Sequence, residues 1–186
     1  MQAILLAAGR GTRFGADKLL HTLEDGTPMA LAAARNMKAA LPDVVAVVNG
    51  ENPELMALLE KMGVRVSVCP NAAQGMGASL AWGVTRSRQA DGWLIALADM
   101  PWIRPETFRA VAETVTRPSV IAAPVYRGRR GHPVAFGRDH GPALMALSGD
   151  EGARRLLADL SREVILLPSE DSGVVRDIDL PEGIAG

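Results

Sequence analysis

Ala3-Ile4-Leu5-Leu6-Ala7-Ala8-Gly9-Arg10-Gly11-Thr12-Arg13-Phe14-Gly15, followed by Lys18, is the stretch on which the fold turns. Residues 3–8 are apolar without polar alternation, as expected of a strand covered on both faces. A glycine-containing turn follows. In open α/β sheets ligands bind outside the carboxyl ends of the strands. Glycines there let backbone N–H groups approach an anion closely. Gly9 and Gly11 supply such a turn, and Arg13 and Lys18 add fixed positive charge, which together suit a triphosphate. Two well-known phosphate loops fit poorly. The GxxxxGK[ST] pattern is absent, and Phe14 stands where a dinucleotide GxGxxG loop needs its third glycine. The bland alternative is a surface turn with solvated charges.

Beyond this stretch the same alternation recurs. Residues 44–48, 64–68, 93–98 and 120–125 read as further short buried strands. Helical patterns lie between them. Residues 28–40 are Ala-rich. Asn52 precedes Pro53 as an N-cap, with Leu55, Leu58, Leu59 and Met62 at helical spacing and Gly63 as the stop. Met76, Leu80 and Val84 mark another helix, and Pro105 opens one with Phe108, Val111, Ala112 and Val115 on one face. This is an α/β fold with a mostly parallel sheet and right-handed crossovers. After Val125 the pattern changes. The turn at 127–131, between 120–125 and 133–136, reads as an antiparallel excursion. Helices are expected at 142–147 and 151–160, with Asp150 as the N-cap of the second, and late strands at 164–167 and 174–178. No repeat or linker appears, so residues 1–186 read as a single domain.

Four further segments carry chemistry. Leu97-Ala98-Asp99-Met100-Pro101 ends a buried strand on a carboxylate, at the sheet edge where the glycine turn lies. Such a carboxylate suits Mg²⁺, which takes one or two carboxylates and keeps several waters. Its bland reading is a turn cap before Pro101. Asp177-Ile178-Asp179 places two carboxylates on the same side of an extended segment, a second metal ligand or a solvated acidic turn. The polar loop from Asn71 through Gly75 to Ser79 runs into a helix N-terminus, a ready place for hydrogen bonds to a nucleotide or a plain helix entry. Arg127-Gly128-Arg129-Arg130-Gly131-His132-Pro133 offers a basic cluster for a second anion, or a solvated hairpin tip.

Composition excludes other classes. The chain has 186 residues, 20 Lys+Arg against 21 Asp+Glu and one cysteine, Cys69. Balanced charge gives no footprint for nucleic acid. A lone cysteine fits a reducing compartment and reads as an inert buried thiol. His21, His132 and His140 lack zinc spacing. No run approaches the ~20 apolar residues a membrane span needs, and no signal-peptide pattern opens the chain. A cytoplasmic protein is expected.

Taken in order, LAAGRGTRFG with Lys18, the 74–80 segment, LADMP, GHPVAF, GDEGAR and DIDLPEG resemble the MobA-like nucleotidyltransferases, most nearly the molybdenum cofactor cytidylyltransferase branch. The resemblance spans nearly the whole chain, and six ordered motifs are specific where each alone is not. It implies a Rossmann-like three-layer α/β/α sandwich of the nucleotide-diphospho-sugar transferase type. It also implies transfer of an NMP, CMP from CTP, to a phosphorylated pterin-type acceptor with release of pyrophosphate. By this resemblance Ala8, Gly9, Gly11, Arg13 and Lys18 hold the NTP, and Gly75 and Ser79 lie near it. Asp99 binds Mg²⁺ with Asp179 as the second ligand, and His132 faces the acceptor. Arg13, Lys18 and Asp99 carry catalysis. A molybdoenzyme or its maturation chaperone is the implied downstream partner. The chain departs from the family in reading Gly77-Ala78-Ser79-Leu80 where SSSL is frequent. LAAG in place of LAGG favours CTP over GTP. Alternatives are guanylyl or other NMP transfer to another pterin, a sugar phosphate or a phospholactate-like acid, a dinucleotide-dependent oxidoreductase, and a non-catalytic cofactor-binding protein.

Overall fold

The structure, a computed structural model, describes residues 1–9, 18–160 and 163–178. Gly11, Arg13 and Asp179 therefore lie outside the described residues. Among those described, eight strands form one sheet: β1 (Gln2–Ala7), β2 (Val44–Val48), β3 (Arg65–Val68), β4 (Gly92–Leu97), β5 (Ile121–Tyr126), β6 (Arg129–Arg130), β7 (Val134–Gly137) and β8 (Val164–Pro168). The order is β3-β2-β1-β4-β7-β5-β6, with β8 also beside β5. β1 pairs in parallel with both β2 and β4. β7 is antiparallel to β4 and β5, and β8 is parallel to β5. The chain steps from β1 outward to β3 and then returns to β4 on the other side of β1. That reversal leaves a crevice at the carboxyl ends of β1 and β4, where ligands bind in open α/β sheets.

The helices are α1 (Met29–Ala40), α2 (Pro53–Lys61), α3 (Met76–Arg86), α4 (Pro105–Thr114), α5 (Gly141–Met145) and α6 (Arg154–Asp159). Alternate strand residues point to opposite faces, and the core divides accordingly. Ala3, Leu5 and Ala7 pack with Met37 of α1, Leu59 of α2 and Phe108 of α4. Ile4 and Leu6 pack with Leu80 of α3, Leu144 of α5 and Leu157 of α6. The result is a three-layer α/β/α sandwich. Each buried Leu, Ile or Phe contributes about 1.5–3 kcal/mol. The expected cap of α2 is present, with Asn52 Oδ1 accepting from Leu55 N–H at 2.9 Å. No helix among the described residues is long and apolar enough to cross a membrane.

The antiparallel excursion is the β5–β6 hairpin continued by β7. Its tip is the two-residue loop Arg127-Gly128, both with positive φ (48° and 77°), the conformation that matches strand twist in tight hairpins. Two expectations need correction. The helix expected at 151–160 is the shorter α6, whose N-cap position is Ala153 without a side-chain cap, so Asp150 does not cap it. The strand expected at 174–178 is a 3₁₀ turn, Ser172–Val175, followed by extended chain. Asp171 accepts from Gly173 N–H at 3.0 Å and closes that turn, and local side-chain bonds of this kind compete with a strand ladder.

Candidate active site

The crevice at the β1–β4 junction holds the residues expected to carry chemistry. Ala98 N–H bonds Leu6 O at 3.0 Å, which continues the β1–β4 pairing past the strand ends. Asp99 therefore emerges beside Ala8 and Gly9. Lys18 opens a short 3₁₀ turn, Lys18–Leu20, rooted by buried Leu19. Its Nζ lies 2.9 Å from Asp99 Oδ2, with the two side chains 15% and 25% exposed. Asn49, at the end of β2, donates to Ala8 O at 3.5 Å and braces the end of β1.

These groups face a cleft of about 520 Å³, lined by Ala8, Gly9, Lys18, Asp99, Gly75, Met76, Ser79 and Asp150. Thus Ala8, Gly9, Lys18, Gly75, Ser79 and Asp99, distant in sequence, share one cavity. Gly75 has a φ of 105°, and a Cβ there would strike the Asp150 carboxylate and the Gly149 backbone. Gly77 N–H donates to Gly149 O at 2.7 Å. The glycines at the start of α3 thus let the 148–150 loop lie against the helix N-terminus and bring Asp150 to the cleft wall, a position sequence reasoning gave to helix capping.

A second cavity of about 480 Å³ adjoins the first, sharing Leu6, Met76, Leu97 and Asp150. Ile95, Val134, Phe136 and Leu157 give it apolar walls, and Arg130, His132, Glu151 and Arg154 join Asp150 as its polar groups. The basic cluster at 127–133 is therefore only partly directed here. Neighbouring residues of a strand alternate faces, which separates Arg129 from Arg130. Arg127 stacks over the Tyr126 ring at 5.2 Å.

His132 reaches the cavity because strand pairing breaks between β6 and β7. Gly131 N–H still bonds Pro124 O at 2.9 Å, whereas His132 N–H turns to Val174 O at 2.8 Å. A Cβ at Gly131 would collide with Val174 O, so that position admits no side chain. His132 Nδ1 is buried without a hydrogen-bond partner. Burial pushes the imidazole pKa below its ordinary 6.5; the Asp99 charge and the Ile95 carbonyl oppose this, and Arg130 reinforces it. His132 lines the second cavity, and its lowered pKa favours the neutral ring, which can both donate and accept a hydrogen bond.

Sequence reasoning missed Asp171. Only 4% exposed, it accepts from Arg104 N–H at 2.8 Å and Thr107 Oγ1 at 2.7 Å, anchoring the start of α4 from 64 or more residues away. From this anchor, residues 172–178 run beneath the site. Val174 O holds His132, and Ile178 N–H bonds Asp99 O at 3.1 Å. That last bond lays Asp177 and Ile178 alongside Asp99. The Asp-Ser-Gly turn is visible in the sequence, but its partners on α4 are not. Cys69 is buried, and His140 bonds Ser119 O at 3.0 Å; neither faces the cavities.

The donor set at Asp99 suits a hard cation. A carboxylate at the head of the cleft already carries a positive group, the Lys18 ammonium, on Oδ2. Among the described residues no three His, Cys, Asp or Glu side chains form a cage, and Mg²⁺ needs only one or two protein carboxylates.

Residues 3–164 match the MobA-like NTP transferase domain. The chain belongs to the MobA-like NTP transferase family. It is 31% identical to the purine catabolism protein PucB of Bacillus subtilis, over 96% of this chain and 91% of that one. It is 29% identical to the nicotine blue oxidoreductase of Paenarthrobacter nicotinovorans, over 96% and 92%. Among solved structures it is similar to a nucleotidyl transferase of Methanothermobacter (TM-score 0.84, 25% identity, 98% and 93% covered). It is likewise similar to the manganese complex of Rv0371c from Mycobacterium tuberculosis (TM-score 0.79, 26% identity, 98% and 94% covered). This MobA-like chain is thus a nucleotidyltransferase by family, with the three-layer architecture of its structural neighbours.

Proposed function

We propose that this MobA-like chain transfers CMP from CTP to the phosphate of a molybdopterin-type acceptor, releasing pyrophosphate. The observation that carries this reading is the pair of adjoining cavities. One is headed by Lys18 and Asp99, and the other is lined by apolar side chains with Arg130, His132 and Arg154 beside Asp150 and Glu151. The first suits a nucleoside triphosphate and the second a flat heterocycle with an anionic end. Ala8 in place of a second loop glycine supports CTP over GTP.

In this scheme an acceptor phosphate oxygen attacks the α-phosphorus in line. The new P–O bond forms as the bond to the bridging oxygen of the departing pyrophosphate breaks. A phosphate monoester is already anionic near neutral pH, so positioning and charge stabilisation suffice. Lys18, with Arg13, offsets charge on the leaving pyrophosphate. His132, Arg130 and Arg154 orient the acceptor. Asp99 and Asp179 would hold Mg²⁺, which when bound supplies charge neutralisation at the phosphates. The manganese complex of Rv0371c supports a divalent ion in this fold. The chain acts as one cytoplasmic domain, residues 1–186, and hands its product to a molybdoenzyme or its maturation chaperone.

A second reading, reduction by a nicotinamide cofactor, is favoured by the similarity to nicotine blue oxidoreductase. One assay separates them. Pyrophosphate release is followed with each of four NTPs, Mg²⁺ and a molybdopterin acceptor, beside NAD(P)H consumption with an oxidised heterocycle. Acceptor-dependent release, greatest with CTP, is expected. NAD(P)H turnover without pyrophosphate would replace the proposal.

A further inference from the structure

The proposed reaction gives Lys18 to the nucleotide and Asp99 to a divalent cation, yet the structure joins them to each other. Lys18 Nζ stands 2.9 Å from Asp99 Oδ2, 81 residues away in sequence. Both line the same cleft as Gly9. We propose that Lys18 holds the cation position on Asp99 until a triphosphate draws it off, so that divalent metal and nucleotide bind with positive coupling. This rests on the assignment of metal to Asp99.

Mg²⁺ sits about 2.0–2.1 Å from its oxygen ligands. An ammonium bonded to the same oxygen would face it as a like charge at close range, in a cleft less screened than bulk water. One cation must leave. Lysine is a point charge on a flexible four-carbon stem, and Leu19 beside it is 7% exposed, so the tip moves while the root stays in place. Metal arriving alone must displace Lys18 with no phosphate to receive it. Nucleotide arriving alone draws Lys18 away and leaves the Asp99 carboxylate facing phosphate oxygens. Together, the triphosphate receives Lys18 and the metal covers Asp99. Each ligand removes the other's obstacle, and such coupling is reciprocal.

The test uses Mn²⁺ alone, titrated into the full chain without nucleotide and followed by the electron paramagnetic resonance of the free ion. Lys18→Met is expected to bind Mn²⁺ about 10- to 100-fold more tightly than wild type, within the usual range of coupling between sites. Lys18→Arg, which keeps the charge, is expected to remain near wild type. Equal affinity in wild type, Lys18→Met and Lys18→Gln would overturn the exchange. Asp99→Asn separates the two failures. If it abolishes Mn²⁺ binding while the lysine variants change nothing, the exchange alone is wrong. If it leaves Mn²⁺ binding intact, the metal assignment and the exchange both fall.

Discussion

Replacing Asp171 by Ala removes one buried carboxylate and strands three donors: Arg104 N–H, Thr107 Oγ1 and Gly173 N–H, at 2.8, 2.7 and 3.0 Å. A hydrogen bond to a charged group is worth about 1.5–3 kcal/mol. The three bonds share one side chain and do not add in full, so about 3 kcal/mol is a reasonable loss. For a chain of this size each kcal/mol moves Tm by about 2–4 °C, which puts the expected drop at about 6–12 °C. The loss should also reach the site. Residues 172–178 present Val174 O to His132 and Ile178 N–H to Asp99 O. Release of the anchor should therefore lower kcat/KM beyond what a distant destabilising change would do at a temperature where both proteins are folded. Asp171→Asn keeps the acceptor oxygen and loses the charge, so it should fall between. Thermal unfolding by circular dichroism and steady-state kinetics at 20 °C read both effects. A Tm within about 2 °C of wild type would refute the assignment of Asp171 as the anchor of the start of α4.

The other expectations concern the cavities directly. Lys18→Ala should lower turnover by roughly 10²–10³-fold, read as initial rates at saturating substrates; a near-normal kcat would remove Lys18 from the mechanism. Asp99→Asn should shift activation to much higher Mg²⁺, whereas Asp177→Asn should matter less; superimposable Mg²⁺ titrations for wild type and Asp99→Asn would contradict this. His132→Ala should raise acceptor KM with NTP binding nearly intact, by a lost hydrogen bond of about 1–3 kcal/mol. His132 also has a pH signature. Its folded pKa lies below the ordinary 6.5, so the unfolded chain takes the proton first. Its contribution is full above pH 6.5 and is lost as pH falls from there through the folded pKa. Wild type should therefore lose more Tm than His132→Gln between pH 7.5 and pH 5, and parallel curves would count against burial as the cause.

What the sequence makes legible is governed by range. The first strand, its glycine turn and the carboxylate ending β4 are local patterns, and both strand ends must meet at a parallel sheet's carboxyl edge. The Asn52 cap and a turn after β5 are likewise local, although Arg129 and Arg130, read as part of that turn, pair with β5 as β6. The insertion of β7 between β4 and β5 is not, because its partners lie in distant segments. The same holds for Asp171, whose polar partners on α4 are 64 or more residues away. Asp150 misled because an acidic residue before a helical run reads as a cap. Instead Gly75 and Gly77 make room for its loop against α3. Arg129 misled because charge clustering in sequence ignores the alternation of strand faces, and Arg127 because the hairpin tip sets it over the Tyr126 ring.

Direct transfer between the two cavities is tested most plainly by following the α-phosphorus itself. The chain is incubated with Mg²⁺, a molybdopterin-type acceptor and CTP labelled at the α-phosphate, then quenched in acid. Label should move to the acceptor with one pyrophosphate released per transfer, none should remain on the protein, and release should require the acceptor. Label retained covalently on the denatured protein, or CMP released at the same rate without acceptor, would contradict the mechanism.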